Sequence, residues 1–451
     1  MGALEPTGRA AERLVAAAKG GFVVTTGQQP ALFGGPLYTW WKALSAIAFA
    51  DALEKETGLP VAPVYWAATD DSDFVEAAST VVVTPDGARK LQLDHLEDPG
   101  LPMSLVPLGD TTRQLAVLRA AAGSAPHPAI LELVERVYSP GETIGSSFVK
   151  LLRSVFSPLG LAVLDSSHSS VREQGLPMMR RALERAPEVE AALLQRDAEL
   201  KAVGYSSQVQ TVRGRSLVFS STDGRRARVS TAHAMDLAVD RDSVELSPNV
   251  LLRPILECSI MPTVAYLGGP AEIAYFAQVS AAAAALGADP PLILPRWSGL
   301  VIEERIQKIL DKYALTPEDF RDPHAVETRV AKDSLPESLR ASIDELRRAV
   351  EQQTVKIDAA DGERLVSPRV IEGLSRNMLH RVERLERRYT AAIKQRGNAA
   401  LHDVAAARAL LYPLGLPQER VLNIIPFIAR HGDELFDSVM TEVAPHAASL
   451  V

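Results

Sequence analysis

The chain has 451 residues, 47% of them hydrophobic and 23% charged, with a formal net charge of -8 and one cysteine, Cys258. That length buries a sizeable core as one large domain with an appendage or as two domains, while a lone cysteine excludes an intramolecular disulfide and any Cys-x-x-Cys site. The acidic balance gives no general attraction to phosphate backbones, no apolar run approaches the roughly 20 residues of a membrane span, and MGALEPTGRAAERLVAAAKG lacks an apolar h-region, so the expectation is a cytoplasmic protein without nucleic-acid or membrane partners.

Residues 21–26 (GFVVTT) are a β-branched run bounded by glycine, the pattern of a buried strand. The loop TTGQQPALFGGPLYTWWK follows. Its Pro36 suits the first turn of a helix, and Trp40, Leu44, Ile47 and Ala48 recur at helical spacing, predicting a helix over 37–56 that Gly58 and Pro60 stop. VAPVYWA at 61–67 reads as the next strand, completing a βαβ unit with parallel strands. Residues 81–140 read as a less regular insertion, LAVLD at 161–165 as a strand, and 170–247 as a second insertion with a hairpin around Asp223-Gly224. The grammar then repeats: PTVAYLGG (262–269) is strand-like, Pro270 opens a helix to about 285, and PPLILPR (290–296) returns as a strand. Beyond Pro323, Leu339, Ile343, Leu346, Val350 and Ile357, and later Ile371, Leu374, Met378, Val382, Leu385 and Tyr389, step at heptad spacing. These predict an antiparallel coiled-coil arm; the pairing fits one chain or two, the latter giving a homodimer. The predicted layout is an α/β core over 1–330, the arm over 331–400, and an apolar segment over 401–451 that packs back on the body.

Three constellations could carry chemistry. Gly27, Gly34 and Gly35 permit close backbone approach, Gln28 and Gln29 supply amides, and Tyr38, Thr39 and Lys42 lie at the following helix start, where a carboxylate or phosphate would find free N–H groups. The loop is neither G-x-G-x-x-G nor a P-loop. TDDSDFVE at 69–76 concentrates Asp70, Asp71, Asp73 and Glu76 at the end of the second strand, suited to an amine, to Mg2+ or to a general base. Around the second Gly-Gly-Pro turn, Arg253 suits bidentate carboxylate recognition, while Glu272, Tyr275 and Gln278 fall on one helix face. Cys258 reads as a small hydrophobe, and no H-E-x-x-H or G-x-S-x-G motif is present.

TGQQPALFGGPLYTWWKALSAI, PVYWAATDDSDFVE, NVLLRPILECSIMPTVAYLGGPAEIAYFAQ, Pro295-Arg296 and QERVLNIIPFIARHGDELF, in this order across nearly the whole chain, resemble the bacillithiol biosynthesis cysteine-adding enzymes. The resemblance implies a Rossmann-like doubly wound core with connecting insertions and a coiled-coil arm. It also implies a ligase joining L-cysteine to glucosaminyl malate through an amide, with activation by ATP or another nucleotide and a contribution from Mg2+. Carried over, the catalytic residues are Asp71 and Asp73. The substrate-binding residues are Gln28, Gln29, Gly35, Tyr38, Thr39, Lys42, Trp66, Glu76, Arg253, Gly269, Glu272 and Tyr275, with Arg420 and Asn423 as the nucleotide candidates. No resident metal site is implied. Ser72 stands where members of that family typically carry histidine. A Mg-dependent transferase on another small molecule and a non-catalytic binding or scaffold protein are the alternatives.

Overall fold

The computed structural model describes residues 2–93, 100–222, 224–239, 245–397 and 399–451. Contacts divide the chain into two compact units, one of residues up to 84, 89–299 and 419–451, the other of 85–88 and 300–418. The division at Gly299 falls earlier than the 330 read from sequence, because the chain after the last core strand leaves at once for the helical unit.

The strands are β1 (Phe22–Gln28), β2 (Val61–Ala67), β3 (Ser79–Thr84), β4 (Gly87–Gln92), β5 (Ala162–Asp165), β6 (Arg215–Thr222), β7 (Arg225–Ser230), β8 (Glu245–Pro248), β9 (Thr263–Gly268) and β10 (Leu292–Pro295). Five of them form one parallel sheet in the order β10-β9-β1-β2-β5. The chain fills the sheet outward from β1 to β5, then resumes on the other side of β1 with β9 and β10, which is the doubly wound Rossmann-like pattern. Register brings the carboxyl ends level: Gln28 pairs with Ala67, Ala67 with Asp165, and Gly268 with Pro295. Every residue of β2 is buried, which explains why it reads as an unbroken apolar run rather than an alternating one.

The Leu37–Thr57 helix follows β1. It is buried without interruption from Thr39 to Ala50, because the C-terminal Asp433–Ala448 helix packs against it as well as the sheet. Gly58, left-handed at φ 69, ends it with its N–H on the Glu54 carbonyl.

The two insertions are more ordered than their sequences suggest. The first carries helices Thr112–Ala122 and Ala129–Val137, the second the helices Ser169–Glu184 and Ala186–Ala202 beside a three-stranded antiparallel sheet, β7-β6-β8. Pro177 inside the Ser169–Glu184 helix disguises it, since a proline in that setting ordinarily argues against helix. β6 and β7 make the expected hairpin; Asp223 at its turn lies outside the described residues.

In the second unit, helices Glu337–Ala360 and Pro368–Arg396 pair. Ile343, Val350 and Thr354 are buried on one and Ile371, Val382 and Thr390 on the other, while Leu346, Ile357, Leu374, Met378, Leu385 and Tyr389 are exposed. The heptad seam is therefore narrower than the apolar stripe, and polar groups share it: Arg347 reaches Glu386 at 3.0 Å. Among the described residues no helix is long and apolar enough to cross a membrane.

Candidate active site

In an open parallel sheet, ligands bind beyond the carboxyl ends where the winding reverses, here between β1 and β9. Lys42 reaches this crevice from the first turns of the Leu37–Thr57 helix. Its ammonium donates to the Gly27 carbonyl at 2.7 Å and to Gln28 Oε1 at 2.9 Å, and pairs with Glu272 Oε2 at 2.7 Å. Glu272 sits in the first turn of the Pro270–Leu286 helix, where it also accepts from the Gly269 N–H at 2.8 Å and the Tyr266 hydroxyl at 2.7 Å. Arg253 donates in turn to Tyr266 at 3.1 Å and to Tyr275 at 3.3 Å. Lys42, Gln28, Glu272, Tyr266, Arg253 and Tyr275 thus form one continuous polar network across β1 and β9.

Burial pulls the Lys42 ammonium down, and Glu272 opposes that pull. Burial also works against the Glu272 carboxylate, yet Lys42, the Gly269 N–H and Arg253 together hold it below the ordinary carboxylate range. Each of the two groups is partnered by the other, the condition for keeping ions out of water.

Glu257 differs. It is fully buried one turn beyond Arg253, whose Nε lies 3.5 Å from Glu257 Oε1, and burial pushes its carboxyl up to about 7 against the pull of that guanidinium. Its folded-state value therefore lies above the unfolded one. The associated stability is full below the ordinary carboxylate value of about 4.3 and is lost as pH rises toward neutrality, on the order of 3 kcal/mol. Glu257→Gln is expected to remove this slope: relative to the unmodified chain, the variant's melting temperature should gain more at roughly pH 8 than at roughly pH 5. Equal differences at the two pH values would contradict a neutral Glu257.

The acidic loop after β2 is ordered by its own donors. Gln29 Nε2 donates to Asp71 Oδ2 at 2.7 Å, the Asp73 N–H to Asp71 Oδ1 at 3.2 Å, and the Glu76 N–H to Asp73 Oδ1 at 3.3 Å, which caps the short Phe74–Ala77 helix. Tyr38 leans on Glu76 at 3.4 Å; burial first, and the nearby Asp73 second, raise the Glu76 carboxyl. Asp70 takes the Ser166 hydroxyl and Arg226 instead. The four carboxylates thus serve different partners, and among the described residues no group of three or more acidic, histidine or cysteine side chains could hold a metal ion.

The glutamine-rich loop is held from the far end of the chain. Leu37, the first helical residue, donates its N–H to the Leu422 carbonyl at 2.9 Å, and Pro36 forms a β-bridge with Asn423. Asn423 Nδ2 reaches the carbonyls of Phe33 (2.9 Å) and Gly35 (3.3 Å) and the Thr80 hydroxyl (3.1 Å), and its Oδ1 accepts from Ile425. This corrects one expectation: Asn423 is a buried brace whose amide is spent, not a nucleotide contact, while the first N–H of the helix start is taken by the chain's own Leu422 carbonyl. Gly35 is required in that brace: at φ 71 a Cβ would stand 2.8 Å from Ala31 Cβ.

Thr39 is likewise fully buried and Trp66 keeps only a 1% exposed edge; the Thr39 hydroxyl has no partner among the described residues. Trp66 faces Gly27 across the strand pair, where a Cβ on Gly27 would lie 2.6 Å from the Trp66 carbonyl. Gln278 bonds Val209 and Asp197 away from the crevice, although helical spacing groups it with Glu272. Arg420 is exposed, and its charge acts on the Tyr38 hydroxyl. Cys258 donates to the Thr263 carbonyl at 3.6 Å, and burial, then Glu257, push its thiol up to about 12, the direction that disfavours the thiolate.

Two residues to which the sequence assigned no role belong here. Tyr266 links Glu272 to Arg253. Arg296, just past β10, makes a two-pronged pair with Glu419 at 2.7 and 3.0 Å and lies 5.8 Å from the Tyr38 ring centre. The signal for Arg296 was its position: an arginine immediately after a strand end on the binding rim.

Residues 5–297 match the model of the bacillithiol biosynthesis BshC N-terminal Rossmann-like domain, and 299–449 that of the BshC C-terminal coiled-coil domain. Among relatives, the protein named "Putative cysteine ligase BshC" from Solibacter usitatus is 32% identical over 459 residues, covering 96% of this chain and 85% of its own. The proteins of the same name from Koribacter versatilis and Staphylococcus carnosus are 30% and 27% identical, covering 94% and 93% of this chain and 82% of each relative. With both domain models matched over almost its full length and relatives named as ligases, the chain belongs to the BshC family of bacillithiol biosynthesis.

Proposed function

We propose that the chain is a cytoplasmic ligase that joins the carboxyl carbon of L-cysteine to the amine of glucosaminyl malate, forming an amide after nucleotide activation. One observation carries the reading: consecutive glutamines at the end of β1 tie the two halves of the site together, Gln28 bonding Lys42 and Gln29 bonding Asp71. The cationic network under β9 and the acidic loop after β2 therefore hang on neighbouring residues. A zwitterionic amino acid needs that combination, an anionic group for its ammonium and a cationic field for its carboxylate.

In amide formation the acceptor nitrogen bonds to the carboxyl carbon, the activated oxygen leaves, and the nitrogen loses a proton. Asp71, fixed by Gln29 and the Asp73 N–H but with lone pairs to spare, orients the cysteine ammonium or accepts the acceptor's proton. Ser72 supplies no titrating group beside it, so the aspartates alone carry that task. A bound nucleotide would supply the activation of the carboxylate; Arg420 is the residue of this chain that would hold it.

Nucleotide turnover provides the test. Phosphate or pyrophosphate release from ATP should depend on added cysteine. Release that is indifferent to cysteine but strictly dependent on Mg2+ and another small molecule would contradict the ligase reading in favour of a transferase.

A further inference from the structure

Beside the acidic loop, on the side away from β9, a cavity of about 370 Å3 opens between the ends of β2 and β5 and the β7-β6-β8 sheet. Its volume lies within the range of small-molecule sites, roughly 300–1,000 Å3. Trp66, Asp70 and Ser166 form the parallel-sheet side. A row across the small sheet forms the other, because Ser221 of β6 pairs in register with Arg226 of β7 and with Glu245 of β8.

The charges in this wall are neutralised within the protein. Arg226 donates to the Asp70 carbonyl at 2.6 Å, to Ser247 Oγ at 3.0 Å and to the Pro248 carbonyl at 3.1 Å, with the Asp70 carboxylate 3.9 Å away. Arg172 pairs with Glu245 at 3.0 Å. An anion would have to break these pairs to be recognised. The hydroxyls of Ser104 and Ser221, by contrast, have no hydrogen-bond partner among the described residues, and each can both donate and accept. Val171, Leu246 and Leu256 give the remaining wall an apolar character. Hydroxyls alternating with apolar surface, and no spare charge, match the rim and the C–H faces of a pyranose.

The cavity is also tied to the proposed reaction centre. The Ser104 N–H donates to the Thr69 carbonyl at 2.9 Å and the Met103 N–H to the Asp71 carbonyl at 2.8 Å, so the cavity wall is stitched to the catalytic loop itself. We propose that this cavity seats the hydroxylated ring of the sugar acceptor beside the acidic loop that carries Asp71. The inference rests on the ligase reading above and adds the place and chemistry of acceptor recognition.

Two filling variants test it, Ser221→Trp in the sheet and Ser104→Phe in the loop, each checked for an unchanged melting profile so that one folding failure does not remove the test. Binding of D-glucosamine is followed by saturation-transfer NMR on the full chain, and amide formation by steady-state kinetics. The expected result is ring-proton transfer in the unmodified chain that the variants abolish, with KM for the sugar acceptor raised about tenfold or more and KM for cysteine within about twofold. An unchanged acceptor KM and unchanged glucosamine signal in a folded variant would overturn the cavity assignment while leaving the ligase reading intact. Absence of amide product from the unmodified chain would instead overturn the ligase reading, and the glucosamine signal would then judge the cavity alone.

Discussion

Asp71→Asn is expected to lower amide-forming turnover by about 10²–10⁴-fold, the usual range for removing a positioned acid or base, while the melting temperature stays nearly unchanged. The geometry explains both halves of that expectation. Asp71 accepts from Gln29 Nε2 on Oδ2 at 2.7 Å and from the Asp73 N–H on Oδ1 at 3.2 Å; the single oxygen of asparagine keeps one of these two bonds, so the cost to folding is on the order of 1 kcal/mol. What asparagine lacks is the negative charge that holds an ammonium or takes a proton. Gln29→Ala should act through the same carboxylate with a smaller loss, since it frees Asp71 to turn without removing its charge. Turnover unchanged in Asp71→Asn would remove Asp71 from the chemistry and shift the role to Asp73.

Lys42→Met is expected to be the most destabilising single change at the site. It strips Glu272 of its ion-pair partner at 2.7 Å and leaves the Gly27 carbonyl and Gln28 Oε1 without their donor. Breaking one half of a buried pair costs about 3–5 kcal/mol, because the remaining charge stays out of water uncompensated. Urea unfolding should show that loss, and the double variant Lys42→Met/Glu272→Gln should recover part of it, as expected when two residues are directly coupled. A double variant as unstable as the sum of the single changes would contradict the coupling.

The fold was legible where local signals and tertiary packing agree. The helix predicted over 37–56 runs Leu37–Thr57 because Gly34-Gly35-Pro36 and Gly58 mark its ends, and VAPVYWA is the strand Val61–Ala67 because a strand buried on both faces has no alternation to hide. The insertions were less legible. The helices of the first depend on packing against the Ile425–His431 helix and those of the second on packing against the small sheet, and Pro177 contradicts the local pattern.

At the site, residue types were legible and partnerships were not. Lys42, Glu272, Arg253 and Tyr275 stand out as polar residues beside Gly-Gly-Pro turns, yet nothing near Lys42 in sequence announces Glu272 as its counter-ion. Asn423 shows the limit most clearly. An asparagine near a positive residue suggests a ligand contact, whereas the folded chain spends its amide on the loop that opens the sequence. That loop, so rich in glycine and glutamine, is built to hold its own C-terminal segment as well as to frame the crevice.

The most direct test of the central claim is mass spectrometry of the purified chain incubated with glucosaminyl malate, L-cysteine, Mg2+ and ATP, beside the same mixture without ATP. The account predicts the cysteinyl amide product, appearing only with nucleotide, despite Ser72 in the acidic loop. No product from folded protein, beside a family member active under the same conditions, would contradict the ligase reading for these substrates.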